Sequence, residues 1–376
     1  WKYNADKGQL AIRDASMKNL VRSSDRYINM RQNLFEQELD DLSAKFPDVN
    51  FTDIEFDIWT NADREGLDKV AKKYKITDDQ KQTYKKIMAD PDYKIAVAKW
   101  QQFRKDVRTE FAKKFKMKVF AYNTVGEKDT TMTPYDSIRY HRMFLQTGII
   151  AIEPSTGQVK VWVGGINHKY FKFDHIRTKR QVGSTFKPFV YASAITFLGI
   201  SPCMKVTDQQ YSIVPGEANF GLINVWSPGN AEGKFSGKSM TLYEALKESR
   251  NSVSVYLMKQ LKSTRPVLEL VNNMGIDKSK VPAQPSICLG AADLTVMEMT
   301  GAYASFANNG TYVVPSFITK IEDKNGKIIY KNTSDEKQAL PADINYVMVD
   351  MLKYAVRGSA GFGGIKSEIG GKTGTT

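Results

Sequence analysis

Two cysteines and three histidines are all this chain has of the side chains that most often carry metal and thiol chemistry. Cys203 and Cys288 do not make a Cys-x-x-Cys pair, and His141, His168 and His175 lack metal-site spacing. Zinc, iron–sulfur and dithiol chemistry are therefore set aside, no metal or cofactor is expected, and both cysteines read as buried structural thiols. Long apolar runs are missing too, since nothing approaches the roughly 20 residues that a membrane-crossing helix needs. There is no internal repeat, no low-complexity tract, and no basic-then-apolar leader at Trp1-Lys2-Tyr3.

What remains is an ordinary globular composition, 41% hydrophobic and 25% charged, in 376 residues, a length that predicts two folding units. Lys and Arg number 54 against 41 Asp and Glu, a formal charge of +13 that favours acidic polymers or anionic lipid. The lysines alternate with acids along stretches read as helical, such as Asp106 to Lys118, and are not set among aromatic stacking positions. Nucleic acid is therefore not expected as a partner.

Residues 1–147 read as mainly helical and lysine-rich. Asp90 can cap a helix, Pro91 suits its first position, and Trp100, Phe103, Val107 and Phe111 then recur at spacings of three and four. This region reads as a pedestal or linker. From Gly148 the pattern changes: Ile149 to Ile152, a Pro154-Ser155-Thr156-Gly157 turn and Val159 to Val163 predict a β-hairpin. Helices are expected from about Ser184, over Thr241 to Lys262 and over Leu294 to Ala307. A second hairpin is expected at Phe317–Ile321 and Ile328–Tyr330, around Asn325-Gly326.

Three short patterns carry chemistry: Ser184-Thr185-Phe186-Lys187, Ser249-Arg250-Asn251 and Lys372-Thr373-Gly374. By residue frequency, about one or two Ser-x-x-Lys and about one Ser-x-Asn arise by accident in such a chain, and Lys-Thr-Gly in only ~10% of such chains. Ser334-Asp335-Glu336-Lys337 is such an accident, in polar surroundings that read as a loop. Ser184 differs because Pro188 fits only within the first helical turn, so the helix begins near Ser184 and its free N–H groups face the serine. Lys187 shares that face, and its apolar neighbours Phe189, Val190, Ala192 and Ala194 predict burial that disfavours the ammonium form. A neutral lysine beside a serine is a general base.

In this order, Ser-x-x-Lys, Ser-x-Asn and Lys-Thr-Gly resemble the signature set of penicillin-binding proteins and serine β-lactamases. The segment Arg180 to Ala192 is similar to the nucleophile segment of class A penicillin-binding proteins. So are the hairpin ending at Gly165, Trp226-Ser227-Pro228-Gly229-Asn230, and Leu289-Gly290-Ala291 with Phe306 to Gly310. The resemblance covers about Gly148 to Thr376 and implies an α+β penicillin-binding transpeptidase-like fold, an antiparallel sheet packed by helices with a helical subdomain. Residues 1–147 would precede it as a helix-rich region and 148–376 would be a C-terminally incomplete transpeptidase domain.

The resemblance also implies roles. Ser184 would attack the penultimate D-alanine of a peptidoglycan stem peptide, Lys187 would take its proton, and Ser249 would relay a proton to the leaving D-alanine. Asn251 would orient the donor peptide and bond Lys187. Lys372 would help keep Lys187 neutral and attract the substrate carboxylate, which Thr373 and Thr375 would bind. Gly374 would leave room for the substrate backbone, and the N–H groups of Ser184 and Thr375 would form the oxyanion hole. Implied partners are stem peptides, β-lactams, cell-wall synthesis proteins and, through an N-terminal anchor outside this stretch, the membrane, at the periplasmic or extracytoplasmic face. A D,D-carboxypeptidase, a β-lactamase with Glu269 and Asn273 as its Glu-x-x-x-Asn, and a non-catalytic β-lactam sensor share the motifs.

Overall fold

The computed structural model describes residues 7–357 and 365–375. The chain divides into two compact units, Trp1–Leu145 and Gln146–Thr376.

In the first unit α1 (Lys7–Arg22), α2 (Asp25–Leu34), α3 (Asp40–Lys45), α4 (Asp53–Glu65), α5 (Leu67–Tyr74), α6 (Asp78–Ala89), α7 (Pro91–Ala112) and α8 (Pro134–Arg142) accompany an antiparallel pair, β1 (Phe115–Phe120) and β2 (Glu127–Met132). The helix α7 starts where the sequence places it, with the Asp92 amide donating to Asp90 Oδ1 at 2.9 Å and Pro91 in the first turn. Its Trp100, Phe103, Val107 and Phe111 are buried. Phe35, Phe56 and Trp100 form a triangle of rings with centroids 4.9–5.3 Å apart, and each such pair adds about 0.5–1.5 kcal/mol beyond the area it buries. Asp57 on α4 holds Lys18, Arg22 and Arg104 at 2.6, 2.8 and 3.0 Å, tying α1, α4 and α7. The helix expected to reach Lys118 ends at Ala112. Lys113 turns to extended geometry, and Phe115 to Phe120 pair with Met132 to Glu127 in a ladder. A cavity of about 580 Å³ opens among Met17, Val21, Phe103, Val107 and Arg108.

The second unit contains β3 (Ile149–Ile152), β4 (Val159–Val163), β5 (Arg180–Gln181), α9 (Lys187–Leu198), β6 (Lys205–Thr207), β7 (Ser239–Thr241), α10 (Leu242–Lys247), α11 (Asn251–Leu261) and α12 (Arg265–Asn273). After these come β8 (Asp293–Leu294), α13 (Val296–Ala307), β9 (Thr311–Val313), β10 (Lys320–Glu322), β11 (Ile328–Lys331), β12 (Glu336–Gln338) and α14 (Ala342–Val356). Among the described residues the strands lie in antiparallel pairs, β3–β4, β5–β8, β6–β7, β9–β12 and β10–β11, rather than in one continuous sheet. The second hairpin is shorter than expected at its start, because Phe317 to Thr319 lie outside the ladder.

The core of this unit is built around α9, whose residues from Lys187 to Ile195 are all buried. Such a helix is apolar on every side and belongs at the centre of a domain. It packs with Leu242, Leu246, Val253, Leu257, Val267, Met348 and Met351 from the surrounding helices. The stretch read as helical from Thr241 to Lys262 is two helices, since Ser249 takes a left-handed conformation with φ of +58° between α10 and α11. Cys288 is buried, but Cys203 is exposed, correcting the expectation of two buried thiols, and neither is in a disulfide.

Candidate active site

A 3-10 turn, Gly183–Phe186, presents Ser184 at the entrance to α9, with Ser184 half-buried and Pro188 in the first turn of the helix. Hydrogen bonds to neighbouring segments and within the turn hold it. Val182 and Gly183 donate their amides to the carbonyls of Ala292 (3.0 Å) and Gly290 (3.1 Å), Tyr303 Oη donates to the Thr185 carbonyl (2.5 Å), and Thr185 Oγ1 donates to the Val182 carbonyl (2.6 Å). Gly290 is required by geometry: its φ is +79°, and a Cβ there would stand 1.9 Å from the Gly183 carbonyl oxygen.

Lys187 is fully buried and its Nζ is surrounded by acceptors, the Ser249 carbonyl at 2.5 Å, Asn251 Oδ1 at 2.8 Å and Ser249 Oγ at 3.3 Å. Burial brings its pKa down from 10.5 to about 7. The positive charge of Lys372 pushes the same way, against the weaker opposing influence of Cys288 and Glu232.

Ser249 reaches Lys187 because of how α10 ends. The amides of Ser249 and Arg250 bond back to the carbonyls of Leu246 (3.2 Å) and Ala245 (3.0 Å), the pattern of a helix stop whose left-handed residue is usually glycine. With serine there, the strain comes with a hydroxyl and a carbonyl pointed at the lysine. Asn251 opens α11, and its Nδ2 donates to the Gly229 carbonyl at 3.0 Å. Arg250, at the cap position, makes no side-chain cap. Asn230 supplies one instead, its Oδ1 accepting from the amides of Asn251 (3.0 Å) and Ser252 (3.2 Å).

Lys372 approaches the same lysine closely enough to lower its pKa, and burial brings its own down to about 8. Its Nζ donates to the Thr373 carbonyl at 2.8 Å. A Cβ on Gly374 would lie 2.8 Å from Thr185 Cγ2 and 3.1 Å from the Thr185 amide nitrogen, so the third motif packs against the turn that carries Ser184. Residues 365–375 take no regular secondary structure, and no described residue pairs with them in a ladder. Thr373 and Thr375 are exposed.

The structure thus brings Lys187, Ser249, Asn251 and Lys372 to one place and sets Gly374 beside the turn that carries Ser184. Ser334 is elsewhere, on a loop where its Oγ donates to the Thr156 carbonyl, and Glu269 is engaged with Arg265 one turn away on α12 at 2.6 Å. Sequence reasoning assigned no role to Asp208, Asn230, Gly290 or Tyr303. Asn230 and Gly290 stand in segments that carry the family resemblance, but the part each of the four plays is a contact made in three dimensions.

The chain matches the family described as penicillin binding protein transpeptidase domain over residues 147–376. It belongs to that family. Residues 59–145 match the penicillin-binding protein middle domain. A relative named penicillin-binding protein 1A, from Neisseria meningitidis serogroup A, is 32% identical over 243 residues, 62% of this chain and 29% of the relative. One from Aquifex aeolicus is 33% identical over 270 residues, 70% of this chain and 36% of the relative. The chain therefore spans about a third of each. The crystal structure of penicillin-binding protein 1A from Haemophilus influenzae superimposes with a TM-score of 0.54 at 26% identity, covering 61% of this chain and 40% of that one. An imipenem acyl-enzyme complex of penicillin-binding protein A from M. tuberculosis, at 18% identity and a TM-score of 0.51, shares the fold. The second unit is thus an α+β transpeptidase domain of the penicillin-binding type, its helices packed with small antiparallel sheets.

Proposed function

We propose that this domain is a serine D,D-transpeptidase that cross-links peptidoglycan stem peptides through an acyl-enzyme on Ser184, and that β-lactams inhibit it by occupying the same serine. The observation that carries the reading is Lys187: a lysine fully buried in a domain of this family, three residues from a serine at a helix start, with a pKa near 7. Ser184 Oγ attacks the carbonyl of the penultimate D-alanine as its proton passes to Lys187 Nζ. The amides of Ser184 and Thr375 stabilise the oxyanion. Lys187 and Ser249 Oγ, 3.3 Å apart, return the proton to the departing D-alanine amine. Asn251 orients the donor peptide, and Lys372, Thr373 and Thr375 bind its terminal carboxylate. An acceptor amine then attacks the ester, and its proton passes by way of Lys187 to the departing Ser184 Oγ, which restores the free serine and the neutral lysine.

The reading extends to residues 1–147 as a helical pedestal or linker, to the extracytoplasmic face of the membrane as location, and to other cell-wall synthesis proteins as partners. A donor pentapeptide incubated with and without an amine acceptor tests it. Expected are free D-alanine and an amine adduct with the wild type and neither with Ser184→Ala. Water-only turnover would make the protein a D,D-carboxypeptidase, and rapid hydrolysis of penicillin would make it a β-lactamase. Against the latter, the Glu269 carboxylate is held by Arg265 on a half-exposed helix face.

A further inference from the structure

Behind the Ser249-Arg250-Asn251 segment lies a carboxylate that none of the motifs includes. Asp208 follows β6, at the neck of the long loop that β6 and β7 close. Its amide donates to the Lys238 carbonyl at 2.9 Å, and its carbonyl accepts from the Gly237 amide at 3.0 Å. Its side chain is fully buried. The carboxylate accepts from Ser252 Oγ at 2.6 Å, Asn230 Nδ2 at 2.8 Å and the Ser236 amide at 2.9 Å, with Arg250 at 3.7 Å. Burial alone would raise its pKa, but these donors outweigh it and hold it at about 2.

An ionised carboxylate only accepts, and this decides the orientation of Asn230. With Nδ2 drawn to Asp208 and to the Lys234 carbonyl at 3.1 Å, Oδ1 must face the amides of Asn251 and Ser252. Those two amides are among the free donors at the start of α11, where the preceding arginine offers no acceptor. The negative charge also sits by that helix's positive end, with Ser252 one residue beyond Asn251. Asn251 leaves this fixed backbone to bond Lys187 Nζ through Oδ1 and the Gly229 carbonyl through Nδ2. Asp208 touches neither Ser184 nor Lys187.

We infer that Asp208, acting through Asn230, is a positioning residue that fixes the Asn251 amide against Lys187. The inference rests on the reading of Lys187 as the base, but its test does not need turnover. The titratable and charged groups acting on Lys187 are Lys372, Cys288 and Glu232, and Arg250 is the cation beside Asp208. None of these is altered in Asp208→Asn. An asparagine there offers one acceptor and two donors, so it cannot satisfy three donors at once, and the orientation of Asn230 is released. Asn251 Oδ1 then drifts from Lys187, the ammonium loses an acceptor, and its pKa falls.

The measurement is the titration of the Lys187 ammonium by lysine-selective NMR on the full chain, assigned with Lys187→Arg, in wild type, Asp208→Asn, Asn251→Ala and the double variant. Expected is a midpoint lowered in both single variants and lowered no further in the double, because the two changes break one linkage. Penicillin acylation, as a second readout, should show its acid limb displaced in the same direction. A Lys187 midpoint unchanged in folded Asp208→Asn, or additive displacement in the double variant, overturns the inference. Should Asp208→Asn not fold, Asn230→Ala is read by the same criteria. Absence of acylation in the wild type would count against the Ser184 reading, while the NMR titration still decides the role of Asp208.

Discussion

Raising the pH from 6 to 9 should carry acylation of Ser184 up and then down. In the proposed mechanism Lys187 is the base and must be neutral, and its pKa is at about 7. About a tenth of the molecules have it neutral at pH 6, about half at pH 7 and about nine-tenths at pH 8, whereas an ordinary lysine at pH 7 would be neutral in about one molecule in 3,000. In the proposed mechanism the substrate carboxylate needs Lys372 charged, and burial puts that group at about 8. The product of the two fractions peaks near pH 7.5 at about 0.6 and falls to about 0.1 at pH 6 and at pH 9, so the profile is a narrow bell whose limbs belong to the lysine pair. Second-order rate constants for a fluorescent penicillin, measured from pH 5.5 to 10, show this directly. Lys372→Arg keeps its charge throughout, so the alkaline limb should vanish and the ratio of rates at pH 9 and pH 7.5 should rise from about 0.15 to about 1.3. Lys372→Met removes a neighbouring positive charge, so the acid limb should move to higher pH. A rate that climbs steadily to pH 10 in the wild type would refute the reasoning, because an unperturbed lysine behaves that way.

Ser249→Gly relieves a left-handed conformation that costs a side chain about 1–2 kcal/mol, partly offset by about 0.5–1 kcal/mol of glycine chain entropy. Urea unfolding should therefore show unchanged or slightly higher stability, while acylation falls at least about tenfold with loss of the hydroxyl. Unchanged acylation would remove Ser249 from the proton path. Gly290→Ala places a Cβ 1.9 Å from the Gly183 carbonyl oxygen in a position of φ +79°, so the turn that carries Ser184 must shift. A loss of about 1–3 kcal/mol is expected, with slower acylation of the molecules that remain folded. Native thiol counting should find one reactive cysteine, Cys203, with Cys288 reacting only after denaturation, because burial raises its pKa as well as shielding it.

Much of this site was legible because its chemistry depends on local spacing. Pro188 fixed the helix start, and the apolar run after Lys187 announced the burial that lowers its pKa. The hairpin at Ile149–Val163 was legible for the same reason, in two β-branched runs around a Pro-Ser-Thr-Gly turn. Contacts between distant segments were not. Gly290 meets Gly183, Tyr303 reaches Thr185, and Asn230 caps a helix that begins 21 residues later. The lysine-rich stretch at Lys113 to Lys118 was read by charge and helical habit, while its alternation of Phe115, Met117 and Val119 with lysines is the period of a strand. The break at Ser249 escaped notice because the motif supplies serine where a helix stop usually has glycine.

The most direct test is to incubate the wild type and Ser184→Ala with benzylpenicillin, digest both, and locate the added mass by peptide sequencing in a mass spectrometer. One penicilloyl group on the peptide carrying Ser184, absent from a folded Ser184→Ala, is the expected result. A stable adduct on another residue, or none on a folded wild type, would contradict the assignment of Ser184 as the acylated nucleophile.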